Sequence, residues 1–197
     1  METRVAVAYH SGYGHTLKQA QAVVSGAKEV SNTHVTLLSL DDLSQGLWKT
    51  LDAADAIILG SPTYMGGCSA AFRKFVEATS GVWADNLRWR NKIAGGFTNS
   101  SCMSGDKLQT LVEMAIFAAQ HGMIWVGMAS FAGWNSSTGS TEDLNRLGSW
   151  LGAMAQSNTD QSSEIVPPPS DLRTAAALGK RIAETTKIFC HGRAALK

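Results

Sequence analysis

Residues 9–16 read YHSGYGHT, a segment of glycines, hydroxyls and imidazoles without lysine or arginine. It follows a short apolar run and leads into a stretch of helical period, so its main-chain amides sit at a helix start, a place that favours anions. A phosphate is the natural guest, and what the segment lacks decides how it would be held. A Walker A loop needs G-x-x-x-x-G-K-S/T, its lysine reaching the terminal phosphates, and that lysine is missing. The dinucleotide fingerprint G-x-G-x-x-G is met at Gly12 and Gly14 only. Leu17 stands where the third glycine belongs, and no acidic residue follows the second apolar run before Asp41. There remains a cradle of backbone amides supplemented by the hydroxyls of Ser11 and Thr16, with Gly14 admitting close approach and His15 adding a donor. A turn that merely caps a helix is the plainer alternative.

Positioning such a loop requires a strand before it and a helix after it, and the chain supplies that unit repeatedly. Short apolar runs at 5–9, 35–40, 56–60, 93–97 and 123–128 alternate with helical stretches, the pattern of β-α-β units on a parallel sheet. Leu17, Ala20, Val24 and Ala27 share one helix face; Ala71, Phe75 and Ala78 mark a second helix; Leu108, Leu111, Val112, Ala115 and Ala119 mark a third. Leu172, Ala175, Leu178 and Ile182 mark the last, approached through the stiff PPPSD at 167–171 with Ser170 or Asp171 as its cap. The expected fold is α/β, one flavodoxin-like domain over residues 1–197. It is a three-layer sandwich on a five-stranded parallel sheet in order 2-1-3-4-5, with the first loop at the switch point where that arrangement holds flavin mononucleotide, FMN. Two further loops should open on the same crevice. GSPTYMGGCS (60–69) has Pro62 to stiffen it and Gly66 and Gly67 to wrap it before a helix. FTNSSCMSGD (97–106) offers small polar residues whose amides suit the pyrimidine edge of a flavin.

Bulk composition excludes several function classes. Charged residues make up 17% of the chain and nearly cancel, for a formal net charge of +1, so no strong field draws it to nucleic acid or an anionic membrane. RWRNK at 88–92 mixes basic and aromatic residues but is short, and reads as a solvated turn before the fourth strand rather than a nucleic-acid contact. No apolar run reaches spanning length, and the chain is expected to be cytoplasmic with no membrane span. Cys68, Cys102 and Cys190 are far apart and form no C-x-x-C, so reduced thiols are expected. The histidines at 10, 15, 34, 121 and 191 show no metal-ligand spacing, and no metal is expected. A long loop at about 130–168, rich in Ser, Thr, Gly and Asn and carrying Trp134 and Trp150, is expected to pack on something, such as another subunit.

SGYGHT, GSPTYMGG, SGVWA (80–84) and AQHGM (119–123) occur in that order, and with them the chain resembles the WrbA-type NAD(P)H:quinone oxidoreductases, flavodoxin-like FMN enzymes. The resemblance implies that Ser11, Gly12, Tyr13, Gly14, His15 and Thr16 hold the flavin phosphate, Tyr13 also touching the nicotinamide nucleotide. It implies that Thr63, Tyr64 and Met65 line the ring and ribityl chain, with Pro62 and Gly66 in the same loop. Asn99, Ser100, Ser101, Cys102, Met103 and Ser104 would contact the ring. Trp83 would cap the pocket where substrate stacks, and His121 would reach the flavin across a subunit contact in the family's tetramer. On the residues alone, His121 reads as a hydrogen-bonded structural histidine and Trp83 as a core or interface aromatic. The implied activity is two-electron, ping-pong reduction of a quinone by NADH or NADPH through FMN, in a homo-oligomer, dimer or tetramer. A flavodoxin-type electron carrier and an NAD(P)H-dependent FMN reductase are the alternatives. The balanced charge favours the enzyme over a carrier that docks by charge.

Overall fold

The computed structural model describes residues 2–196. Its elements run β1 (Thr3–Tyr9), α1 (His15–Lys28), β2 (Thr33–Ser39), α2 (Gln45–Ala53), β3 (Ala56–Tyr64), β4 (Gly67–Cys68), α3 (Ala70–Ala78), α4 (Ser80–Ala84), β5 (Ile93–Ser100), α5 (Lys107–Gln120), β6 (Ile124–Trp125), β7 (Ala153–Gln156) and α6 (Pro169–Ala195). The parallel path is β2-β1-β3-β5-β6, the order 2-1-3-4-5 in units of the main strands; β4 adds a hairpin to β3, and β7 pairs with β5. Side-chain alternation along the strands divides the core into two layers. Ala6, Ala8, Ile57 and Leu59 face one way, onto Leu47 and Leu51 of α2, Phe72 and Phe75 of α3, and Leu111, Met114 and Phe117 of α5. Val5, Val7 and Ile58 face the other way, onto Ala20, Val23 and Ala27 of α1 and Ala175, Leu178 and Ile182 of α6. Because each central strand is covered on both faces, it reads as a continuous apolar run. The helices α1 and α6 touch backbone to backbone: a Cβ on Gly26 would lie 1.8 Å from the Ala176 carbonyl oxygen, and one on Gly179 would lie 2.0 Å from that of Val23.

Several expectations need correction. The fifth strand is interrupted. Only Ile124–Trp125 of the run at 123–128 pairs with the lower half of β5, and the upper half, Phe97–Ser100, pairs with Ala153–Gln156. The long loop therefore contains a strand. Its outgoing and returning arms are tied where the Met128 amide donates to the Trp150 carbonyl (2.9 Å) and Trp125 Nε1 to that of Leu151 (2.9 Å). Helix α2 was not anticipated; Ser44 caps it, accepting from the Leu47 amide, and Leu47 and Leu51 anchor it. In α5 the inward face is Leu111, Met114, Phe117 and Ala118, while Leu108 and Ala119 are exposed, so the buried stripe is rotated from the expected one. Neither Ser170 nor Asp171 caps α6. Pro168 is its N-cap residue and Pro169 occupies the first helical position, where the missing N–H costs nothing. The Asp171 carboxylate turns inward instead, to Arg146. The segment at 88–92 is not a solvated turn: Trp89 is fully buried, donating from Nε1 to Asp52 Oδ1 (2.7 Å), and Arg88 pairs with the other oxygen of the same carboxylate (2.9 Å).

Candidate functional site

The carboxyl ends of β1, β3, β5 and β7 surround a cleft of about 620 Å³. Its first wall is the β1–α1 loop. Gly14 stands at the head of α1 with φ 88°, a left-handed conformation that only glycine adopts cheaply. A Cβ there would also lie 2.8 Å from Ser163 Oγ, across the cleft. Ser11 Oγ accepts from the amides of Gly14 and Leu17, both at 3.1 Å, which folds the loop over the helix start. The amides of Tyr13, His15 and Thr16 make no hydrogen bond among the described residues, and the Thr16 side chain faces the cleft. His15 is not a free donor: its Nε2 lies 2.9 Å from the Gln161 carbonyl oxygen, so that nitrogen carries the proton and gives it to the opposite wall.

The second wall is the end of β3. Pro62, Thr63 and Tyr64 line the cleft. The Thr63 hydroxyl itself turns down, bonding those of Thr98 (2.8 Å) and Thr110 (2.7 Å), so only its backbone and methyl are offered to a guest. The Tyr64 ring lies over Gly12, with its hydroxyl in the space a Cβ would need, and meets Tyr13 edge-on at 6.5 Å. Burial and the neighbouring Tyr13 raise the Tyr64 phenol above its ordinary value, so it stays protonated. Met65 (φ 47°) and Gly66 (φ 80°) form the left-handed tip of the β3–β4 hairpin. Met65 is fully exposed, and neither residue is among those that line the cleft.

Asn99, Ser100 and Ser101 make the third wall. Beyond them the loop turns away: Cys102 is exposed, and Met103 and Ser104 line a separate groove beside Trp134, Trp150 and Leu108. The fourth wall, which the sequence reading did not find, is Ser157, Thr159, Gln161, Ser162 and Ser163. It follows β7 and is fastened to the third: the Ser157 amide donates to the Ser100 carbonyl (3.0 Å), Asn99 Nδ2 to Ser157 Oγ (2.8 Å), and Gln156 Nε2 to the Ser101 carbonyl (2.8 Å). Its signal was the run QSNTDQSSE at 156–164, hydroxyl- and amide-rich like the other loops. Lys107 was missed as well; this buried lysine donates to Ser100 Oγ, and burial lowers it to about 8.

Trp83 and His121 lie elsewhere. Helices α3 and α5 return antiparallel to the strands, so residues after them sit at the amino edge of the sheet, opposite the cleft. Trp83 is 55% exposed there. His121 is 3% exposed, packed on Trp89 and Phe117, with Nε2 3.0 Å from Thr79 Oγ1. Burial lowers its pKa, holding it neutral.

Among the described residues, no lysine, arginine, aspartate or glutamate lines the cleft. Its donor set is unpaired amides at a helix start, hydroxyls and carboxamides, surrounding an open side flanked by Tyr13 and Tyr64. That set fits a phosphate at one end, a polar chain in the middle and a flat heterocycle at the other. No group of His, Cys, Asp and Glu suited to a metal ion occurs among the described residues. Cys68 is buried, and burial together with Glu113 pushes its thiol well above the ordinary range. No helix among the described residues is long and apolar enough to cross a membrane.

The profile of the family described as NADPH-dependent FMN reductase matches residues 33–153. Flavodoxin FldP of Pseudomonas aeruginosa is 40% identical, over 92% of this chain and 95% of its own. An NAD(P)H dehydrogenase (quinone) of Archaeoglobus fulgidus is 31% identical, over 95% and 99%. Among solved structures, a flavodoxin, WrbA-like protein from Agrobacterium tumefaciens superposes with a TM-score of 0.74 at 39% identity, covering 95% of this chain and 99% of that one.

Proposed function

The chain belongs to the NADPH-dependent FMN reductase family and is a WrbA-type, flavodoxin-like FMN oxidoreductase, and on that premise we propose that it reduces quinones with NADH or NADPH, donor and acceptor using the same open side of the cleft in turn. The observation that carries this reading is the neutral cradle itself. Gly14 is left-handed against Ser163, and the amides of His15 and Thr16 are left without partners at the head of α1. These groups and the Thr16 hydroxyl would take the FMN phosphate; Asn99, Ser100 and Ser101 would take the polar edge of the ring; Tyr13 and Tyr64 would flank its open side. FMN held there would supply the two-electron redox chemistry between nicotinamide and quinone. The protein contributes position and hydrogen-bond donors fixed before reduction, which stabilise negative charge at the ring's polar edge without reorganising. Tyr64, held protonated, offers a hydroxyl at the mouth of the cleft.

The purified protein, given FMN, should turn yellow, bleach with NADH or NADPH, and sustain oxidation of the nicotinamide when benzoquinone is added with no other protein present. A second reading, an electron carrier, is favoured by the similarity to a protein named flavodoxin. It predicts FMN uptake without direct oxidation of either nicotinamide. A third, an FMN reductase that releases its product, predicts weak binding and turnover of free FMN. In the preferred reading the acceptor is a quinone and the protein works as a homo-oligomer, where the exposed Trp83 of one copy is free to cover the cleft of another.

A further inference from the structure

The loop from Ser100 to Asp106 is organised by a cation with no anion in contact. Lys107, the first residue of α5, is fully buried. Its Nζ donates to Ser100 Oγ (2.8 Å) and to the carbonyls of Cys102 (2.7 Å) and Met103 (2.9 Å). All three acceptors are neutral. The carboxylate that acts on it, Asp171 of α6, is committed elsewhere: both of its oxygens accept from Arg146 at 2.8 Å, and one also accepts from the Gln156 amide. Arg146 carries the same sign as Lys107, and the remaining titratable group facing it is the Cys102 thiol. Burying an ammonium in this way costs several kcal/mol in general unless something opposes the penalty. Fastening a loop does not by itself require a charge, since an amide or a hydroxyl can bond carbonyls.

The loop also turns through two successive left-handed residues: Gly105 (φ 55°), where glycine is at ease and a Cβ would lie 2.1 Å from Ser100 Oγ, and Asp106 (φ 54°), which carries a side chain in that conformation. Such a conformation persists where the surroundings over-determine it, and here the Lys107 ammonium is what they converge on. Its first acceptor, Ser100, lines the cleft. The charge therefore stands one hydroxyl behind the wall assigned above to the polar edge of the ring.

We propose that Lys107 is a positioning residue that fixes the Ser100–Ser101 wall and places behind it a positive charge with no anion in contact, so that the cleft favours the reduced, anionic state of its flavin over the oxidised, neutral state. The proposal rests on the reading that the cleft binds FMN. The balance is simple: a neutral isoalloxazine that takes two electrons and one proton, as hydride from NADH or NADPH, carries one negative charge. That charge is the counter-ion Lys107 lacks.

The test compares wild type with Lys107→Met and Lys107→Arg. The midpoint potential of bound FMN is measured by dye equilibration at pH 7, FMN affinity by fluorescence, and loop order by amide exchange at residues 101–104 in the flavin-free protein. Lys107→Met should lower the preference for reduced over oxidised flavin at least tenfold, about 30 mV for a two-electron couple, and Lys107→Arg should restore most of it. In wild type, the potential should fall more steeply with pH above about 8 than in Lys107→Met, a measurement that stands even if the Met variant is poorly stable and only Lys107→Arg can be compared. A Lys107→Met protein that binds FMN with the wild-type potential, or that loses affinity equally in both redox states, overturns the proposal and leaves a loop pin. A wild-type protein that takes up no FMN removes the flavin reading itself, a different result read before any variant is made.

Discussion

Asp171→Asn should destabilise the protein far more than its small change in shape suggests. Arg146 and Asp171 are 5% and 1% exposed at their side chains, and they meet in a two-armed contact, Nε to Oδ1 and Nη2 to Oδ2, both 2.8 Å. The asparagine keeps an oxygen for the Gln156 amide but sets an NH2 against the guanidinium, which is left charged, buried and without a carboxylate. Breaking a buried pair from one side costs about 3–5 kcal/mol. At roughly 2–4 °C per kcal/mol for a chain of this size, the thermal midpoint should fall by roughly 6–20 °C. The damage should also reach the cleft. Gln156, held by Asp171, is the last residue of β7, and Ser157 beside it joins the third and fourth walls. FMN affinity should drop accordingly. Thermal melts with and without FMN give both numbers, and the double variant Arg146→Met with Asp171→Asn separates causes: with no orphaned charge, it should recover at least half of the lost stability. If Asp171→Asn melts within about 2 °C of wild type, or the double variant is no better than the single, the pair does not close the inserted segment onto α6 and the reasoning fails.

Three other outcomes are expected. Gly14→Ala puts a Cβ on a residue with φ 88°, 2.8 Å from Ser163 Oγ; the strain alone is about 1–2 kcal/mol, so calorimetric titration should show FMN binding weakened roughly tenfold or more. Burial lowers the pKa of His121, so the unfolded chain binds its proton first as pH falls, and the neutral histidine's contribution is intact above 6.5 and lost on acidification. The unfolding free energy from urea titrations should fall below that pH by at most about 1.4 kcal/mol per unit for this group, and His121→Gln should flatten the dependence; a parallel profile would mean that another group titrates. Gly179→Ala drives a methyl to 2.0 Å from the Val23 carbonyl, and since backbone must yield, a loss of about 1–3 kcal/mol or more is expected by denaturant titration, with an unchanged midpoint refuting the close α1–α6 crossing.

The parts of this molecule that were legible in sequence are those where one segment's chemistry suffices to define its role. VAVAY, AIILG and IAGGF are buried on both faces, so each announces a strand without reference to its neighbours. The loop at 9–16 was readable as a strand-to-helix connection because glycines and small hydroxyl residues separate an apolar run from a stretch of helical period, and Gly14, read there for close backbone approach, stands at the head of α1 with φ 88°. What stayed hidden depends on partners distant in the chain. AMAQ at 153–156 carries too little apolar surface to be recognised as a strand, and it becomes one because β6 pairs only with Ile93 and Ala94 and leaves Phe97–Ser100 open. Lys107 carried no signal of its own, since nothing in the sequence says that three neighbouring carbonyl and hydroxyl oxygens will close over it.

The hidden pieces share a cause. Cutting the fifth strand after Trp125 lets the chain bring Arg146 to Asp171 before it re-enters the sheet at Ala153, so the strand's second half arrives already tied to α6. That return delivers the uncharged side chains of Ser157, Thr159, Gln161, Ser162 and Ser163 to the edge of the cleft, while Lys107 stands behind the neighbouring Ser100. An uninterrupted fifth strand would run past Asn99 and Ser100 with no segment free to supply that wall. The insertion that obscures the fold in sequence is thus what completes the site.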